Sequence, residues 1–304
     1  MQIDITAKID DISFRNALAG ANLTGGKNKV AVICPVHPPY FDRLKNLITH
    51  FYRLGLNHSA DFWIIFSNEV DAAQFCTRTG LFERFLIMPE NIDVSNNAAA
   101  VRKKLYAVSK LSQLDYEYIF AVDADFVFIR TVDLKFVCDR FFDEKIILSC
   151  RIKDDECFKI NEYCFSRFKN LPDSEKIDLY LYSWLNQPWI YKSDNVKKFF
   201  EVLGEPENFN KFTRDDFEYI LYAYYLILYE NFTEKILPYM SFPFGEFFGK
   251  NLPKAFFDQF KDCRLLLCMK GIYIQMQKHL PENEIMLITH LDRENKNFEG
   301  EIFN

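Results

Sequence analysis

The chain has 304 residues, 49% of them apolar and only 10 of them glycine. That is enough to bury a sizeable core and too much for a minimal domain, so one large α/β domain, or a domain plus a lobe, is expected. Aromatic residues reach 17%, with 32 Phe and 16 Tyr against 3 Trp, which excludes a disordered chain. The 37 basic and 43 acidic residues leave a net charge of −6, which disfavours a nucleic-acid partner.

No apolar run approaches the roughly 18 to 20 residues of a membrane-spanning helix. Residues 1–8 carry acid and amide in place of the basic and then apolar stretch of a signal peptide. A cytoplasmic protein is the expectation. The eight cysteines, at 34, 76, 138, 150, 157, 164, 263 and 268, show no two-residue gap of a zinc site and lie in apolar surroundings, so they read as buried free thiols. Sequons at Asn22, Asn57 and Asn231 carry no weight without a secretion signal.

After a leader over residues 1–28, the apolar run 30–34, ended by Pro35, predicts a buried parallel strand. Pro38 and Pro39 open a helix in which Phe41, Leu44, Leu47, Ile48, Phe51 and Leu54 recur at helical spacing, and Gly55 closes it. A second strand follows at 62–66, a short helix through Ala72 and Phe75 to Gly80, and a third strand at 85–88. Val101, Leu105, Val108 and Leu111 mark an amphipathic helix leading into a fourth strand at 118–122. This alternation predicts a mostly parallel open sheet with helices on both faces, whose ligands bind at the carboxyl ends of the strands.

Beyond Ser149 the rhythm breaks, and residues 151–178 read as a surface excursion or lid. A strand at 189–191, helices at 194–203 and 213–230, and short strands at 265–268, 272–276 and 285–288 complete the reading. The expected organisation is one compact domain with a first half over 1–149 and a smaller mixed half over 150–304.

Asp123-Ala124-Asp125 stands at the end of the fourth strand, directly before the apolar run 126–129. Two acids between apolar segments are costly to bury unless a cation or hydrogen bonds compensate them. In an extended backbone, i and i+2 side chains point the same way, so both carboxylates can face one hard cation such as Mg²⁺ or Mn²⁺. The alternative is a pair of turn-capping acids.

Residues 118–130, YIFAVDADFVFIR, preceded by KKLYA at 103–107, resemble the central segment of GT-A-fold glycosyltransferases, and the overall look is of bacterial capsule or lipooligosaccharide transferases. The resemblance implies a GT-A-like, Rossmann-related fold with a nucleotide-sugar-binding half and an acceptor-binding half. It implies a sugar moved from a nucleotide-sugar, a UDP-sugar first, to a hydroxyl of a glycan or lipid-linked acceptor in cell-surface polysaccharide synthesis. In such enzymes the two acids hold Mn²⁺ or Mg²⁺ against the donor diphosphate, so Asp123 and Asp125 become metal ligands, with Asp123 also at the donor. His290, after a short C-terminal strand, corresponds to a further ligand.

By the same resemblance, Pro35, Val36 and His37 occupy the loop that contacts the nucleotide base, and Lys104 corresponds to a basic residue reaching the donor. Lys104 reads equally as part of a solvated helix face. Asp215 and Asp216 resemble an acidic motif that supplies a catalytic base, Asp216 ahead of Asp215. Thr213 with Asp216 also fits a helix capping box. The aromatic loop around Gly245 and Glu246 fits a sugar pocket or plain packing. An acceptor on a membrane lipid implies peripheral contact with the inner face of the cytoplasmic membrane.

Two other classes compete. A haloacid-dehalogenase-like phosphatase would use Asp123 as a nucleophile, with 146–149 mimicking its second motif, but such acids follow the first strand of their domain. A non-catalytic carbohydrate-binding module would show no metal-dependent hydrolysis of a nucleotide-sugar. A nucleotidyltransferase needs a glycine-rich loop after the first strand, and Gly25-Gly26-Lys27 lies before it.

Overall fold

A computed structural model describes residues 27–81, 83–128, 130–153, 155–168, 176–183, 189–204 and 208–242, together with strand segments 267–269 and 287–289. Strand β1 (Val30–Pro35) is buried along its whole length, because helices cover both faces of the sheet it centres. A short 3₁₀ turn at Pro38–Tyr40 feeds α1 (Phe41–Arg53), whose buried residues Phe41, Leu44, Leu47, Ile48 and Phe51 form one stripe. The chain leaves that helix through Gly55, at φ 70, a left-handed conformation that a side chain would strain.

Next come β2 (Ala60–Phe66), α2 (Glu69–Thr79), β3 (Arg84–Ile87), α3 (Ala99–Leu111) and β4 (Tyr118–Ala121). The side chain of Asn68 caps α2 by accepting from the Asp71 amide at 2.8 Å. After β4 the chain forms β5 (Val127–Phe128), α4 (Leu134–Glu144), β6 (Ile146–Ile152), α5 (Asp155–Ser166), β7 (Leu181–Tyr182), β8 (Trp189–Lys192), α6 (Ser193–Leu203), α7 (Glu218–Tyr229) and β9 (Thr233–Phe242). Two short strands, β10 (Leu267–Met269) and β11 (Leu287–Thr289), are also present.

The main sheet has the order β3-β2-β1-β4-β8, parallel except for the antiparallel edge strand β8. Smaller sheets join β7-β6-β9 and β10-β11-β5. The protein is therefore an α/β fold built on a mixed, mostly parallel sheet. One contiguous cluster of buried side chains runs from Val30 to Leu237.

The first three strand-helix steps and the fourth strand match the sequence expectation closely. The second half differs in two respects. Residues 151–178, expected as a surface excursion or lid, contain the end of β6 and the whole of α5. In α5, Cys157, Asn161 and Cys164 are buried, and mixing such small and polar residues into the inward face blurs the helical period. Ser149 falls inside β6, and 189–192 returns to the main sheet, so the sheet takes strands from both sides of the expected boundary.

Helix α7 starts at Glu218 rather than Thr213, and it is apolar all round because it is buried on nearly every side. The expected strand at 272–276 lies outside the described residues. Six cysteines, at 34, 76, 138, 150, 157 and 164, are free and buried. Among the described residues, no helix is long and apolar enough to cross a membrane.

Candidate functional site

From β1 the chain winds outward to β2 and β3 on one side, then returns to place β4 on the other side of β1. Residues 30–33 pair in parallel with 118–121, so both strands end at the same edge and their following loops lie side by side. In open α/β sheets such a switch point forms the ligand-binding crevice. The loop after β1 carries Pro35, Val36 and His37. The loop after β4 carries Asp123 and Asp125.

The Asp123 loop is a tight turn, with the Phe126 amide donating to the Asp123 carbonyl at 3.0 Å. The expectation of an extended backbone at 123–125 is thus corrected: a turn presents the two acids. Ala124 is buried between them, while Asp123 and Asp125 are each half-buried. The turn is anchored below by Phe126, whose ring lies 5.3 Å from that of Trp189 on the edge strand.

Lys104 reaches this turn from α3, which crosses beneath both strands. Its Nζ stands 2.8 Å from Asp123 Oδ1 and 2.6 Å from Glu218 Oε1, and 4.5 Å from the centre of the Trp189 ring. Trp189 in turn stacks on Tyr219, with ring centroids 5.0 Å apart. Burial alone would pull Lys104 down, but the carboxylates of Asp123 and Glu218 together outweigh it and hold the ammonium above its ordinary value. Lys104 is therefore a buried brace under the acidic turn, not part of a solvated face.

Its neighbour Lys103 is fully buried and braces the other loop. Its Nζ donates to the Val36 carbonyl at 2.7 Å and lies 3.5 Å from Nδ1 of His37. Pro35 and Val36 are buried, whereas His37 is half-buried. Burial, followed by the Lys103 charge, holds the His37 imidazole below its ordinary value. Arg102 completes the run by donating to the carbonyls of Asp93 at 2.6 Å, Phe212 at 2.8 Å and Asn210 at 2.9 Å.

Asp216 is fully buried. Its Oδ2 accepts from the Thr213 amide at 2.8 Å and from the Thr213 hydroxyl at 3.2 Å. Arg167 Nε stands 3.0 Å from Asp216 Oδ1 but is not aligned for a hydrogen bond, so the contact is an ion pair by proximity. Burial pushes the Asp216 carboxyl above its ordinary value. The Thr213–Asp216 bonds close a turn ahead of α7, whose N-cap is Phe217. Asp215 is exposed and lines a pocket of about 360 Å³ with Lys159, Ile160, Tyr163, Arg214 and Phe217.

The structure thus brings together Pro35, Val36, His37, Lys104, Asp123 and Asp125. Neither Asp215 nor Asp216 is joined to the acidic turn by a described contact; the residue that reaches it is Glu218, the first of α7, through Lys104. His290, Gly245 and Glu246 lie outside the described residues. Among the described residues, no three His, Cys, Asp or Glu side chains group to hold a metal ion. The two carboxylates are nonetheless hard oxygen donors, the kind that suits Mg²⁺ or Mn²⁺.

Sequence reasoning missed Lys103, Glu218 and Trp189. A signal for the lysines existed: three consecutive cations sweep more than half a helical turn, so they cannot all point away from the sheet. The chain matches no protein-family model and no curated protein.

Proposed function

We propose that the protein is a divalent-cation-dependent glycosyltransferase of the GT-A type, moving a sugar from a nucleotide-sugar, a UDP-sugar first, to a hydroxyl of a glycan or lipid-linked acceptor. One observation carries the reading: the Asp123–Asp125 turn stands at the switch point of a mostly parallel sheet, beside the loop of Pro35, Val36 and His37. A second supports it. Strand β11 runs antiparallel to β5, pairing Leu287 with Phe128 and Ile288 with Val127. In that register β11 runs toward the end of β5 that follows Asp125, so a chain segment beyond the first half closes over the strand next to the acidic turn.

Asp123 and Asp125 would hold the cation, with Mn²⁺ or Mg²⁺ neutralising charge on the departing diphosphate. The chain's own residues do the rest. Lys104 fixes the Asp123 carboxylate while leaving its second oxygen to other partners. The β1 loop receives the nucleotide. Acceptor entry fits the pocket beside Asp215, an exposed carboxylate able to take a hydroxyl proton if it comes within hydrogen-bond reach. Asp216, buried in a turn, holds the shape of that pocket.

The test is transfer or hydrolysis of a panel of nucleotide-sugars with Mn²⁺, with and without chelator, by the wild type and by Asp125→Ala. Activity dependent on the cation and absent from the folded variant is expected. Full activity of Asp125→Ala in chelator would sink the proposal.

A further inference from the structure

The Lys103–Lys104 pair braces two loops at once, and only the Lys104 contact bears on the acidic turn. Among the described residues, Lys103 has no carboxylate at hydrogen-bond distance. Its fully buried Nζ is spent on the Val36 carbonyl at 2.7 Å and on Nδ1 of His37 at 3.5 Å. An ammonium has donors and no acceptor, so a histidine nitrogen facing it must be the unprotonated one. The neutral ring then carries its proton on Nε2. Among the described residues, Nε2 of His37 has no hydrogen-bond partner, although the ring is half-buried in the loop that follows β1.

We propose that Lys103 is a positioning residue that locks His37 as the neutral Nε2–H tautomer, so that the loop after β1 offers one fixed donor to an oxygen acceptor on the ligand, a base carbonyl or a phosphate oxygen. The inference rests on the donor-binding reading of that loop and adds to it which atom of His37 binds and what sets it. A second positive charge on the ring is opposed by burial and by the neighbouring ammonium. Asp71 acts on both groups in the opposite direction but is outweighed. Burial brings Lys103 itself down to about 8, which still leaves it charged near pH 7.

Nitrogen-15 NMR of the full chain labelled at histidine tests this directly, with the His37 signals assigned by their loss in His37→Gln. At pH 7 the wild type should show an unprotonated Nδ1 and a protonated Nε2. Lys103→Met, checked for an unchanged fold by circular dichroism, should release the ring into a mixture of tautomers. A protonated Nδ1 in the wild type overturns the inference, whether or not the variant folds. So does a folded Lys103→Met protein whose ring is unchanged.

Titration with UDP and Mg²⁺ then separates this from the functional reading. A downfield shift of the Nε2 proton, reduced at least several-fold in Lys103→Met at equal UDP, is the expected result. An Nε2 signal untouched by saturating UDP, with the tautomer as described, contradicts the donor-binding role of His37 and not the role of Lys103.

Discussion

Replacing Lys104 with Met keeps the aliphatic stem and removes the ammonium. Glu218, with its side chain 4% exposed, then loses a partner 2.6 Å away. Removing one member of a buried ion pair leaves an uncompensated charge and costs about 3–5 kcal/mol. Asp123, with its side chain 31% exposed, stays hydrated and adds less than about 1 kcal/mol. The lost contact over the Trp189 ring lies within the same range.

Glu218→Gln alone should cost only about 1–2 kcal/mol, because Lys104 keeps Asp123 and the amide oxygen can still accept its hydrogen bond. In the Lys104→Met, Glu218→Gln double variant no buried charge is stranded. It should therefore recover about 2 kcal/mol relative to Lys104→Met, a coupling typical of residues in one network. Urea unfolding of the four proteins, followed by circular dichroism, measures the cycle. A loss below about 1 kcal/mol for Lys104→Met, or a double variant no more stable than it, would refute the buried brace.

Three further outcomes follow from the same contacts. Asp216→Ala should destabilise by about 3 kcal/mol, since it strands the Arg167 guanidinium and opens the Thr213 turn, whereas exposed Asp215→Ala should stay within about 0.5 kcal/mol. If Asp215 takes the acceptor proton, that second variant alone loses activity at unchanged melting temperature. Arg102→Lys should cost about 2–4 kcal/mol in urea unfolding, because one ammonium cannot reproduce a planar fork spanning three backbone carbonyls. Glu234, which accepts from the Ser149 hydroxyl at 2.7 Å, is raised by burial from 4.5 to about 7. Between those values the folded protein holds a proton the unfolded chain has released. The wild type should thus lose stability against Glu234→Gln as pH rises through that interval, by no more than about 3 kcal/mol.

Much of the fold could be read where one period dominates. The apolar run at 30–34 and the stripe from Phe41 to Phe51 can be satisfied only as a covered strand and a one-sided helix, and they are. The failures share a cause. In α3 and α7 most positions are buried, polar ones included, so polarity no longer reports direction, and Lys103, Lys104 and Glu218 vanish into the interior. Their partners are more than a hundred residues apart in one case, Lys104 and Glu218, and no local pattern encodes such a pairing.

The acidic pair was legible because two carboxylates after an apolar strand demand compensation. The structure adds that part of this compensation is an internal ammonium. The turn at Asp123 and the burial of Asp216 depended on backbone and tertiary contacts that letter spacing does not carry.

Calorimetric titration of UDP into the wild type and Asp125→Asn, each with Mn²⁺ and with chelator, bears most directly on the crevice between β1 and β4. Binding that requires Mn²⁺ and is lost in the variant, at an unchanged melting temperature, is the predicted result. Equal binding in chelator, or in Asp125→Asn, would contradict a nucleotide site built on the Asp123–Asp125 turn.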